Sequence, residues 1–185
     1  GVEWRTQPGT DARIQYGQDR IQLEDVTLVN ADQSLTVEGT IALAGEAPNA
    51  ALDVTAQNVD IQGIETLLLM DRGLTGRLNA NARLTGTTES PTVDGRVEIR
   101  EGGFQNYRYE SLVADVDYTG DRVVVDATLT QTPAERITVK GSAPMSLFQA
   151  SEGEGHVAAG PGDAVDIHIQ STALGLGVIQ GFTTQ

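Results

Sequence analysis

Between Leu74 and Phe104 hydrophobicity alternates with a period of two, and this pattern narrows what the chain can become more than any other feature. Leu78, Ala80, Ala82 and Leu84 fall on one side, with Arg77, Asn79, Asn81 and Arg83 on the other. After a break at Gly86–Pro91 the alternation resumes: Val93, Gly95, Val97 and Ile99 oppose Asp94, Arg96, Glu98 and Arg100. Successive strand side chains point to opposite faces, so such a run makes a strand with one dry and one wet side. Gly86, Ser90 and Pro91 suit a turn and do not extend a central ladder. The stretch is therefore an antiparallel hairpin.

Most of the chain repeats this grammar. Gly1–Gly9 has no clear period, and Trp4 is placed to cover one end of the sheet. Ala12, Ile14 and Tyr16 alternate before a turn at Gly17–Asp19. Ile21 and Leu23 are out of phase with Val26 and Leu28, which calls for one extra residue, a β-bulge, at Glu24–Asp25. After a turn over Asn30–Ser34, Leu35, Val37, Gly39, Ile41 and Leu43 form a long strand. Gly45–Asn49 turns again, and Leu52, Val54 and Ala56 follow. The period then changes. Asp60 caps a short helix over Ile61–Met70, with Ile61, Ile64 and Leu68 in one stripe and Gly73 as its stop.

Past the hairpin, Gly102–Gly103 reads as a turn into a short aromatic strand, Phe104–Tyr109. Leu112, Ala114, Val116 and Tyr118 alternate up to a tight turn at Gly120–Asp121. Val123, Val125, Ala127 and Leu129 return, a turn spans Gln131–Glu135, and Ile137 and Val139 continue. Ala150–Gly162 is small, polar and glycine-rich, the composition of a loop. Val165, Ile167 and Ile169 make the last clear strand, and Leu174–Phe182 is a weaker version of the Ile61–Met70 segment.

Leu35–Gly39 matches Ile137–Gly141, and Leu52–Val54 matches Val165–Ile167. The chain thus reads as one elongated segment over 1–185, a piece of a longer protein. Repeat-like units at about 11–73 and 111–183 flank the central hairpin 74–104. Such repetition favours an elongated, stackable architecture.

Composition sharpens this picture. Aromatic residues make up only 4% of 185, so the apolar face is built from Val, Ile, Leu and Ala, a smooth surface with few rings. Acidic residues outnumber basic ones 26 to 12, a net charge of −14. Binding to a phosphate backbone needs clustered Lys and Arg, which argues against nucleic acid; an anionic membrane surface is disfavoured likewise. Acidic side chains also keep exposed β surfaces soluble. There is no Cys, and the longest apolar run, Leu67–Met70, is far too short to span a bilayer.

No catalytic constellation emerges. His156 lies in the glycine-rich stretch and His168 on a polar strand face. Glu152, Glu154 and Asp163 lack the ligand spacing of a calcium loop. Asp115, Asp117 and Asp126 alternate outward with no shared cleft. Ser142 and Ser146 lack the context of an activated nucleophile. The expectation is no enzyme, no cofactor and no metal.

The order of an apolar helix-like segment (Ile61–Met70), Leu74-Thr75-Gly76-Arg77-Leu78, Leu84-Thr85-Gly86-Thr87, Pro91 and Gly95 resembles the TamB branch of the AsmA-like proteins. Leu52–Asp60 and Val165–Leu174 are similar to the strand before that family's short helix. The resemblance implies a β-taco: an all-β, elongated, curved antiparallel sheet forming an open apolar groove with short helical caps. It implies a periplasmic place in a Gram-negative envelope, with the full-length protein anchored in the inner membrane. It also implies phospholipid acyl chains as cargo, support of outer-membrane protein assembly, and a possible outer-membrane barrel partner of the full-length protein.

The alternating residues name the expected groove lining: Leu35, Val37, Ile41, Leu43, Leu52, Val54, Leu78, Ala80, Ala82, Leu84, Val93, Val97, Ile99, Leu112, Ala114, Val116, Val123, Val125, Ala127, Leu129, Ile137, Val139, Val165, Ile167 and Ile169. The competing reading is a closed β-sandwich or β-helix, a structural or adhesin module in which the same residues are core. Facing sheets would then interdigitate about 10 Å apart.

Overall fold

The computed structural model describes residues 3–43, 50–67, 73–87, 90–145 and 164–172. Eleven strands and one short helix follow in order: β1 (Arg5–Thr6), β2 (Arg13–Tyr16), β3 (Arg20–Asn30), β4 (Gln33–Ala42), β5 (Ala51–Asp60), α1 (Ile61–Leu67), β6 (Leu74–Gly86), β7 (Pro91–Phe104), β8 (Tyr107–Thr119), β9 (Arg122–Thr132), β10 (Glu135–Pro144) and β11 (Asp166–Ser171). All eleven strands join one sheet. From β3 to β11 each strand pairs with its neighbour in sequence, always antiparallel, while β1 and β2 share the outer edge of β3. The sheet is not closed into a barrel. A sandwich needs a second sheet packed against the first, and a β-helix needs parallel ladders; the described residues form neither.

The central hairpin is β6–β7, with Leu78 opposite Ile99, Ala80 opposite Val97, Ala82 opposite Gly95 and Leu84 opposite Val93. The bulge expected in β3 is present: the register shifts between Leu23 and Val26, and Asp25 adopts φ 52°. A second bulge, between Ala56 and Val59, has no counterpart in the sequence reading. There Asn58 takes φ 52°, and its backbone N–H, freed from the ladder, donates to Asn79 Oδ1 at 3.0 Å.

Several turns are tighter than the sequence suggests. Two residues, Ala31 and Asp32, join β3 to β4, and Pro133–Ala134 join β9 to β10. Gly102–Gly103 is not a turn: both lie inside β7 and are buried, and the chain reverses at Gln105–Asn106, with Gln105 at φ 52°. The expected Phe104–Tyr109 strand is therefore the end of β7 and the start of β8. Val165 lies just before β11. Asp60 Oδ1 accepts from the Gln62 N–H at 3.2 Å, as expected of the cap on α1. The expected turn at Gly45–Asn49, the end of the helical segment at Leu68–Met70, the loop at Ala150–Gly162 and the segment Leu174–Phe182 lie outside the described residues.

The buried core is small. Among the described residues the buried apolar side chains are Ala42, Ala50, Leu52, Ala56, Val59, Ile61, Ala114 and Pro144, so alanine supplies four of eight. They gather mostly around β5, where α1 packs against β5 and β6. Elsewhere, among the described residues, no second layer covers the sheet, and the large aliphatic side chains of β6 to β10 stay partly open.

Candidate functional site

Cross-strand register fixes which side chains share a face, because residues directly opposite in a ladder point the same way. Followed from strand to strand, the ladders form four lanes perpendicular to the strands. The first runs Val59, Leu78, Ile99, Leu112, Leu129, Ile137. The second runs Leu28, Leu35, Ala56, Ala80, Val97, Ala114, Ala127, Val139, Ile169. The third runs Val26, Val37, Val54, Ala82, Gly95, Val116, Val125, Gly141, Ile167. The fourth runs Ile14, Leu23, Gly39, Leu52, Leu84, Val93, Tyr118, Val123, Ala143.

One face of the sheet is thus apolar from β2 to β11. The residues expected from alternation occupy it together, with Ile41 beside Ile21; Leu43 lies just past β4, where its N–H donates to the Asp19 carbonyl at 2.8 Å. Alternation also left out Val59, which the bulge at Gln57–Asn58 displaces in phase. Val26 and Leu28 share the face as the expected bulge at Glu24–Asp25 requires, and Tyr118, which alternates with Leu112, Ala114 and Val116, joins through its register with Val93 and Val123.

Side-chain size is not uniform across this face. Between β5 and β9 the two middle lanes are mostly Ala, Gly and Val, while the first is Leu and Ile throughout from β6 to β10. Lanes two residues apart along a strand lie about 7 Å from each other. A low strip therefore runs along the sheet beside a taller aliphatic row. No acidic or basic side chain lies on these lanes between β5 and β10, and Tyr118 alone carries a side-chain hydroxyl.

The other face is polar and charge-paired. Arg83 Nη1 bonds both Asp53 carboxylate oxygens at 3.0 Å, Arg96 Nη1 reaches Asp115 at 2.7 Å, and Lys140 Nζ reaches Asp126 at 2.6 Å. Asp115 lies directly opposite Asp126, so each of these two aspartates has a cation on its far side. Asp94 lies opposite Asp117. The hydrogen bond with Asp94, then desolvation and the charges of Asp94 and Asp115, raise the Asp117 carboxyl above its ordinary value. A shallow depression on this face is lined by Asp53, Arg83, Asp94, Arg96, Asp115 and Asp117. His168 sits on the same face, 3.2 Å from Asp166, and Ser142 Oγ accepts from Arg122 Nη2 at 2.9 Å. Among the described residues no cluster of His, Asp and Glu has the geometry of a metal site. His156, Ser146, Glu152, Glu154 and Asp163 lie outside the described residues.

Among the described residues fold and face together define a class: one unclosed antiparallel sheet with an aliphatic face, a charge-paired face and very little sealed core. Residues 23–154 match the family described as the TamB C-terminal domain, from β3 through β10. The chain belongs to the TamB family. Searches of the curated proteins and of the solved structures each returned no match. Membership brings the family's coarse role, a non-enzymatic module of bacterial envelope assembly. Among the described residues no helix is long and apolar enough to cross a membrane.

Proposed function

We propose that the apolar face is a groove that shields phospholipid acyl chains from water as they pass between inner and outer membrane. The observation that carries this reading is the aliphatic face running from β2 to β11, which no second layer covers among the described residues. Each Val, Leu or Ile left facing water forgoes about 1.5–3 kcal/mol of burial, so a surface of this kind needs an occupant. Acyl chains fit, because methylenes require no hydrogen bonds and the face offers almost none. The strip of Ala, Gly and Val leaves room beside the taller Leu and Ile row, and a surface poor in rings suits sliding over tight docking. The segment sits in the periplasm of a Gram-negative envelope, within a longer protein anchored in the inner membrane. That longer protein also supports outer-membrane protein assembly, with an outer-membrane barrel as its partner.

Native mass spectrometry with lipid extraction of the chain purified from a bacterial envelope tests the reading. Phospholipid that co-purifies with the wild type and is lost on Val97→Asp, with circular dichroism and melting unchanged, is the expected result. Val97 is only partly buried, so a carboxylate there keeps contact with water and the fold survives. A lipid-free chain with no dye-accessible apolar surface, or a Val97→Asp variant that unfolds, would mean that the face is sealed.

A further inference from the structure

A phospholipid on the apolar face must put its polar part somewhere, and the lanes offer little place for it. The four lanes span about 20 Å of strand, and between β5 and β10 their one hydroxyl, Tyr118, stands in the outermost of them. A glycerol backbone held over the middle of that floor would lose water with no hydrogen bond in return. Its place is at an end of the strands, where the apolar face meets the turns.

One such end carries an aromatic cluster on the apolar face. β7 is bulged against β6 between Thr75 and Arg77, with Glu101 at φ 50°. Beyond the bulge Gly102 and Phe104 continue the face of Ile99. A Cβ on Gly76 would meet Ile99 Cγ2 at 2.8 Å and Gly102 Cα at 3.0 Å, while one on Gly103 would meet Thr75 and Arg108 on the polar side. Tyr109 lies opposite Gly102 and Tyr107 opposite Phe104, so both rings share the apolar face. The chain has one Trp, four Tyr and three Phe, and three of these eight stand together just past the lane of Ile99, Leu112 and Leu129. A tyrosine joins an apolar ring to a polar tip, which suits the border between a dry face and water.

The two hydroxyls at this end differ. Tyr107 Oη donates to Gln131 Oε1 at 3.2 Å. Tyr109 Oη has no hydrogen-bond partner among the described residues, although its ring is partly buried over Gly102, 6.3 Å from the Tyr107 ring. Desolvation raises both hydroxyl pKa values, with the charge of Glu135 adding for Tyr107 and that of Tyr107 for Tyr109, so both stay protonated donors at neutral pH. We infer that Tyr109 receives the glycerol backbone of a diacyl phospholipid, its hydroxyl donating to an ester carbonyl. The acyl chains then run from this end onto the lanes, and the headgroup stays in water. The inference rests on the groove reading above and deepens it by naming glycerol esters as the chemistry recognised.

Tyr109→Phe keeps the ring over Gly102 and removes only the donor, so the fold is retained, checked by circular dichroism. The chain is incubated with an equimolar mixture of a phosphatidylcholine bearing two ester-linked chains and its ether-linked counterpart, and native mass spectrometry reads which is held. The wild type should hold the ester lipid over the ether lipid by about fivefold, the factor that one hydrogen bond supplies. Tyr109→Phe should hold the two lipids equally. Equal retention of both by the wild type overturns the inference and leaves the groove reading standing. So does a preference that survives Tyr109→Phe, or one abolished by Tyr118→Phe instead, which would place the ester at the opposite end of the strands. Retention of neither lipid by the wild type removes the groove reading and this inference with it.

Discussion

Gly102 of β7 lies directly opposite Tyr109 of β8, and the tyrosine ring covers it so closely that a Cβ at residue 102 would sit 2.1 Å from the ring Cε2. The glycine is thus a seat for the ring and not a turn residue. Gly102→Ala should cost about 1–3 kcal/mol in urea unfolding, the range for overpacking a closely fitted position. Tyr109→Ala in the Gly102→Ala background should recover part of that loss, since the clashing ring is then gone. If the double variant is as unstable as the sum of the single ones, the two positions are not coupled.

Facing carboxylates on the polar side predict an acid-dependent change in stability. The Asp117 pKa is raised from the ordinary 3.8, first by its hydrogen bond with Asp94, then by desolvation and by the charges of Asp94 and Asp115. A carboxyl whose pKa rises on folding holds its proton more tightly in the folded chain. Its contribution therefore favours folding below 3.8 and is lost as pH climbs from there through the raised value. Asp117→Asn should melt slightly higher than wild type at pH 7, and the advantage should vanish at pH 3. Equal melting temperatures at both values would show that the pair is indifferent to charge.

The legible part of the fold was whatever alternation and turn chemistry encode over short distances. Leu78–Leu84 against Val93–Ile99 gave the central hairpin, and the phase slip from Leu23 to Val26 gave a bulge. What was not legible depended on partners distant in sequence. Gly102 and Gly103 look like a turn until Tyr109 and Arg108 are seen beside them. The bulge at Asn58 depends on Asn79, 21 residues away, to take its free N–H. Val59, next to that bulge, was missed on the apolar face for the same reason. Ladder register, which orders small and large residues into lanes, is a property of strand pairs and is not contained in any one strand.

Ion pairs on the polar face are exposed and should contribute little. Arg83 holds both oxygens of Asp53, yet the two side chains remain 58% and 44% exposed. Solvent screening limits such pairs to about 0–1 kcal/mol. Arg83→Ala should shift the urea midpoint only slightly and leave lipid retention intact. A marked loss of retained lipid would place the functional face on this side of the sheet.

The helix cap offers a local test. Asp60 precedes α1 and accepts the Gln62 N–H, while its own N–H donates to Gln33 Oε1 at 2.8 Å. Asp60→Ala removes the acceptor and should cost about 0.5–2 kcal/mol, whereas Asp60→Asn keeps an acceptor and should cost much less. Hydrogen exchange should then speed up in α1 and leave β8 to β10 unchanged, because α1 packs on β5 and β6. Uniformly faster exchange would mean that α1 is coupled to the whole sheet.

The lanes make the most discriminating case. Ala80, Ala114 and Ala127 share the low strip beside Ile99, Leu112 and Leu129. If acyl chains lie along that strip, filling it should matter more than trimming the taller row. Ala127→Leu adds bulk at a position that is only partly buried, so the fold has room for it and the occupant does not. Leu129→Ala widens the space and removes aliphatic contact, at a stability cost no greater than the ~2–5 kcal/mol of a fully packed leucine. Retained lipid, measured per folded chain, should fall sharply for Ala127→Leu and modestly for Leu129→Ala. The reverse order would place the chains against the tall row, and no change in either would take them off this face.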